Sequence, residues 1–243
     1  MHADTIPSIK VGGKILYKIE IDTTLDEIAR TFTGRALLHG FRTYTSRTTN
    51  ILPLFDRLDT ATQVHGMEAD GTFNGEQQFE PSGPNAGAPD PGTRLGTGVG
   101  ADAFIFFRRQ DWDGSDGPAT LPDEVLFHEM VHALRIMGGK SCYRLPVGLR
   151  QYQTEEEFFA ILLANIYISE KAQGAAVPLR ADHIHDPGKV NTTVLPSPGT
   201  FHQLPVNIVL IQKLMRQLPM VTTFIANIDE DRCLFNPIRE ISP

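Results

Sequence analysis

Residues 122–137 read PDEVLFHEMVHALRIM and are followed by Gly138 and Gly139. Pro122, Asp123 and Glu124 suit a first helical turn, where a missing N–H costs nothing and acidic side chains meet the positive end of the helix dipole. The two glycines suit its end. Val125, Ala133, Leu134 and Ile136 offer apolar contacts along the same helix. Inside it lies the pattern His128-Glu129-x-x-His132. Positions four apart share one helical face, about 5–6 Å apart at their Cβ atoms, so two imidazoles can converge on one zinc ion at about 2.0–2.1 Å each. Glu129, beside the first imidazole, can reach a zinc-bound water without ligating. Zinc lowers the pKa of that water toward about 7, and a carboxylate base takes its proton, a chemistry that hydrolyses amides without a covalent intermediate.

A catalytic zinc needs a third protein ligand and an open position. The segment ALRIMGGKSC after His132 holds no further His, which favours two imidazoles and one carboxylate. The candidates are Glu155, Glu156 and Glu157 at the head of a second helix, about Thr154 to Lys171, and the later His183 and His185. The cluster is favoured because a packed helix fixes a ligand better than the loop RADHIHDPGK. Thr154 and Glu157 also form a capping-box pattern, which competes for the same carboxylate. Against the cap stands the apolar run Phe158, Phe159, Ile161, Leu162 and Leu163, which requires this helix to lie deep beside the first.

Upstream, ADAFIFF (101–107) is an unbroken β-prone run, expected as a strand buried on both faces or at a sheet centre, and DGSDGPAT closes it as a turn. Residues 66–100 are rich in Gly, Pro, Asn and Asp and read as a long exposed loop. IKVGGKILYKIEIDT (9–23) has a Gly-Gly between two alternations and reads as a β-hairpin, followed by a short helix over LDEIARTF. Residues 35–66 show no clean period, and their structure stays open between helix and other states. After an irregular stretch from about residue 175, PVNIVLIQKLMRQLPMVTTFIANI supplies one or two helices with Pro219 as the break.

The 243 residues carry a net charge of −7, with 41% hydrophobic and 21% charged residues. That balance fits a folded globular chain and lacks the basic surplus of a nucleic-acid-binding surface. No segment approaches the roughly 20 apolar residues of a membrane span, and the N-terminus lacks an apolar signal-peptide core. Cys142 and Cys233, the two cysteines, exclude a disulfide scaffold; a single bridge between them stays open, with two buried free thiols the default.

With these residues in view, the chain resembles the gluzincin group of zinc metallopeptidases, in which a Glu on a second helix completes the H-E-x-x-H site. Glu157-Phe158-Phe159-Ala160 is similar to the E-F-F-A segment bearing the third zinc ligand in anthrax lethal factor. GTGVGADAFIFF (96–107) is similar to the strand entry of NleD-like type III effector proteases. The resemblance covers about residues 96–170. It implies one zinc per chain held by His128, His132 and Glu157, Glu129 as general base, and a nearby Tyr steadying the oxyanion, with Tyr152 the first choice and Tyr143 the second. It departs from the group at Ile161, where many members place a polar residue that orients a ligating His.

The expected fold is α+β: a zincin-like catalytic domain over 101–243, a small sheet packed on the motif helix and a mostly helical C-terminal part. Residues 1–80 form an N-terminal α/β lobe, separate or integral to that domain, joined by the loop 81–100. The function implied is a zinc endopeptidase acting on protein substrates, of a host cell by analogy, secreted or delivered by a specialised system. The alternatives are a non-catalytic zinc-stabilised module, which would have no use for Glu129, and an amidase of non-protein amides, to which a charge of −7 offers no electrostatic attraction when the polymer is anionic.

Overall fold

The computed structural model describes residues 6–53, 63–66, 95–96, 98–144, 148–183, 194–195 and 198–242. The chain opens with a short strand, β1 (Ile9–Val11), and Gly12-Gly13, the latter at φ +95°, then turns into helix α1 (Ile15–Ile28). The expected hairpin over 9–23 is therefore incorrect. Its second arm is helical because the buried stripe runs through Ile21, Leu25 and Ile28, at i, i+4 and i+7, and β1 pairs in parallel with a later strand. The LDEI segment expected as a separate helix is the last turn of α1.

The region left open resolves into α2 (Phe32–Phe41), β2 (Thr49–Pro53) and β3 (Gln63–Gly66). Thr31 caps α2 by accepting the Gly34 N–H at 2.8 Å. A second cap comes from far along the chain: the Glu170 carboxylate accepts the N–H groups of Phe32 at 2.6 Å and Thr33 at 2.8 Å. It satisfies donors that a helix start otherwise leaves unpaired.

The strand expected at 101–107 is β4 (Ala103–Phe107). The sheet order is β1-β2-β4-β3, with β1, β2 and β4 parallel and β3 antiparallel along β4. Thus β4 lies in the interior of the sheet, in register with β2 at Ile51 and Ile105. Its burial alternates, however: Ala103, Ile105 and Phe107 are enclosed, whereas Phe104 and Phe106 are half-buried. The chain reaches β4 through close backbone contact with the end of α3 (Pro122–Met137). Gly96, Gly98 and Ala101 donate N–H bonds to the carbonyls of Ser141, Gly139 and Ile136 at 2.7, 3.0 and 3.2 Å. Gly100 sits at φ +78°, and a Cβ there would lie 1.8 Å from Met137 O, so a glycine is required. Most of the exposed loop expected at 66–100 lies outside the described residues.

Helix α3 packs on β4 and against α4 (Glu155–Lys171), both helices spanning the residues expected from sequence. Leu126, Phe127, Met130, Phe158, Phe159, Leu163 and Ile166 are fully enclosed, each contributing about 1.5–3 kcal/mol of burial free energy. Beyond them lie α5 (Pro205–Gln217), α6 (Pro219–Ala226), divided at Leu218-Pro219, and α7 (Pro237–Ile241). One continuous core takes in residues from Ile6 to Ile238. Both cysteines are buried free thiols. The architecture is α+β, a small sheet carrying the motif helix with helices following it.

Candidate metal centre

Helix α3 presents His128 and His132 from one face, and α4 brings the first-turn Glu157 opposite them. His128 Nε2 and His132 Nε2 are 3.1 Å apart. Glu157 Oε2 lies 3.2 Å from the first and 3.4 Å from the second. A tetrahedral zinc with bonds of roughly 2.0–2.1 Å has ligand–ligand edges of about 3.3 Å, so the triangle of donor atoms is the size such an ion requires. These three residues form a group able to hold a metal. Thr154 caps α4 by accepting the Glu157 N–H at 3.1 Å, but the Glu157 carboxylate turns to the imidazoles. The capping box is half-formed.

The electrostatics at this point favour a cation. Burial drives His128 down to about 3, against an opposing hydrogen bond from Glu157, so its imidazole is neutral and able to ligate. Glu157 is buried too, yet the surrounding imidazoles of His132, His128 and His183 outweigh burial and hold its carboxyl well below the usual range. His132 is raised well above its ordinary value because Glu157, Glu156 and Glu129 outweigh burial. Among side chains alone, its proton supplies the positive charge that the pocket favours. Glu129, next to His128 and half-buried, is pushed by burial up to about 8, with His132 lowering it and Glu157 raising it. A carboxylate poised near neutrality suits a general base.

Of the other acidic candidates, Glu155 faces away, paired with Lys213 and within 3.1 Å of Cys142 Sγ. Glu156 is fully buried and takes a part that the sequence reading did not assign to it. Its Oε1 lies 2.8 Å from Arg135 Nε and 3.5 Å from His132 Nδ1, and its Oε2 accepts the Cys142 N–H at 2.9 Å. Ile161, where a polar support was sought, is core. Nothing in the sequence separates Glu156 from Glu155 and Glu157, because its partners lie on other segments of the chain. His183 Nε2 lies 3.2 Å from Glu157 Oε2 and its Nδ1 3.0 Å from Gln153 Oε1. Its ring stacks on that of His128 at 6.3 Å. His185 lies outside the described residues.

The two tyrosines differ. Tyr152 is 2% exposed, edge-on to Phe158 at 5.1 Å, and its phenol is raised by burial and by Asp182. Tyr143 is raised well above its usual value by burial and by Glu156, Glu157 and Glu129, the carboxylates of the site. Arg180, 8% exposed, also feels Glu157 and Glu129, and its Nε donates to Asp182 O at 2.7 Å.

A helix-borne His-Glu-x-x-His packed on a small sheet and faced by a carboxylate on the following helix is an arrangement able to hold a metal ion. The chain belongs to peptidase family M91, described as "Effector protein", whose family model matches residues 6–197. It is thus a peptidase of the effector class, an NleD-like metallopeptidase family. No curated protein and no solved structure matches the chain. No helix among the described residues is long and apolar enough to cross a membrane.

Proposed function

We propose that the protein is a zinc endopeptidase that cuts peptide bonds of host proteins after secretion or delivery into the host cell. The observation supporting zinc is the convergence of His128 Nε2, His132 Nε2 and Glu157 Oε2 within 3.1–3.4 Å. Zinc bound there supplies Lewis acidity and lowers the pKa of water toward about 7. Glu129 takes the proton of the attacking water and returns it to the leaving amine nitrogen. Tyr143, half-buried and next to Cys142, whose N–H the Glu156 carboxylate accepts, is assigned the hydrogen bond to the developing oxyanion, whereas Tyr152 is enclosed against Phe158. A non-catalytic zinc module has no need of a half-buried carboxylate beside its first ligand, and Glu129 favours the enzyme.

The test is incubation with host-cell extract, with and without chelator, reading new N-termini by mass spectrometry. Chelator-sensitive new termini that Glu129→Gln fails to generate are the expected result. Termini that persist with chelator, or with that variant, would overturn the proposal.

A further inference from the structure

Glu156 and Arg135 are both fully buried and oppositely charged, and Glu156 also reaches toward His132 Nδ1. Besides its contact with Glu156, Arg135 donates through Nη1 to Gln217 Oε1 at 2.9 Å and through Nη2 to Lys140 O at 2.7 Å, and its guanidinium lies 4.4 Å from the Phe159 ring centre. Glu156 uses both oxygens, one toward Arg135 Nε and His132 Nδ1, the other on the Cys142 N–H. An ion pair so buried contributes little net stability compared with apolar residues of similar volume, because both charges lose water. What apolar residues could not supply is an acceptor facing His132 Nδ1.

We propose that Glu156, held by Arg135, is the positioning residue that fixes His132 as a metal ligand. The proposal rests on the zinc reading of the site. A neutral imidazole carries one proton. With that proton on Nδ1 and directed at Glu156, the lone pair is on Nε2, the atom that meets His128 Nε2 and Glu157 Oε2. The contrast with the other imidazole is sharp: His128 Nδ1 is buried and has no hydrogen-bond partner among the described residues. The neighbouring Glu156 and Glu157 divide the labour of α4, one facing the donor triangle and the other anchoring α4 to α3 one turn beyond His132. The same pair also holds the 138–142 segment, through Lys140 O and Cys142 N, so the spacing between ligands on two helices is set by one buried clamp.

Zinc affinity of the purified full chain, measured by competition with a chromophoric chelator, tests this alongside imidazole proton–nitrogen NMR spectra of the zinc-loaded protein. Glu156→Gln replaces one accepting oxygen by an N–H donor in a pocket already full of donors. It is expected to weaken zinc roughly 10- to 100-fold and to release His132 from its Nδ1–H form, with the helical circular dichroism retained. Glu156→Asp, which keeps the carboxylate, should recover part of the affinity. If Glu156→Gln does not fold, Arg135→Lys takes its place: it keeps a cation beside Glu156 but loses the fork, and a several-fold loss of affinity is expected. Wild-type zinc affinity in the folded variant, with unchanged imidazole spectra, would overturn the proposal and leave the pair as packing. Absence of stoichiometric zinc from the wild type is a different result, under which the reading of the site itself falls.

Discussion

At the residue scale the division of roles is sharp enough to separate binding from turnover. Glu129 lies next to a ligand but outside the donor triangle, so Glu129→Gln should retain one zinc and the fold while losing at least about 100-fold in kcat, because an amide cannot accept the water's proton. Metal analysis beside a peptidase assay checks it; near wild-type turnover would remove Glu129 from the mechanism. The tyrosines offer a second contrast. Tyr143→Phe removes a hydroxyl within the field of Glu156, Glu157 and Glu129, with an expected loss of about 10²–10³ in kcat and little change in melting temperature. Tyr152→Phe keeps the ring that packs on Phe158 and should leave kcat within a few-fold. Reversal of that order would return the oxyanion role to Tyr152.

At the scale of elements, α4 carries three adjacent glutamates with three different surroundings: Glu155 on Lys213, Glu156 on Arg135, Glu157 on the imidazoles. Glu157→Ala should abolish stoichiometric zinc, while Glu155→Ala should keep it and cost on the order of 1 kcal/mol or less from a partly exposed pair and the helix dipole. Zinc titration and denaturant melts of the two variants decide between them. The boundaries of α3 and α4 were legible because their punctuation is local: Pro122 and Gly138-Gly139 for one, Thr154 for the other. So was the spacing of His128 and His132, which only helical geometry makes meaningful. Helix α1 was not legible as one element, because KILYKIEI alternates over too few residues to separate period 2 from period 3.6 until Ile21, Leu25 and Ile28 are seen to share a face. The start of α2 depends on Glu170, 138 residues from Phe32, and no local window contains that cap. Glu156 was hidden similarly, since its partners Arg135, His132 and Cys142 meet only once α3 and α4 pack.

For the whole molecule, protons and zinc compete for one buried site, and pH should expose that competition. In chelator-treated protein, His128 is held down to about 3. Between that value and the unfolded value near 6.5, the unfolded chain therefore binds a proton that the folded chain refuses. Glu129, pushed up to about 8, works the other way: above the ordinary carboxylate range the folded chain holds a proton that the unfolded chain has released, which offsets His128 and leaves stability nearly flat between about pH 4.5 and 6.5. His132 has the same sign as Glu129: its folded value is raised, so its contribution is complete below about 6.5 and is lost as pH rises through that folded value. The carboxylates of Glu156 and Glu157, held low in the fold, contribute above the ordinary carboxylate range and lose that contribution as pH falls through their depressed values. The zinc-free protein should thus show a plateau of stability between about pH 4.5 and 6.5 and lose stability above it, where His132 and Glu129 both favour the proton-bound fold. Zinc removes the need for the proton on His132, so the stabilisation it confers should grow from pH 6 to pH 8. At a free zinc concentration 100 times Kd that stabilisation is about 2.7 kcal/mol, or about 5–10 °C in melting temperature for a chain of this size. His128→Ala and His132→Ala should each erase it. Thermal melts at half-unit pH steps, with zinc and with chelator, provide the check: a zinc increment that is flat or shrinks above pH 6.5 would mean that His132 does not exchange a proton for the metal.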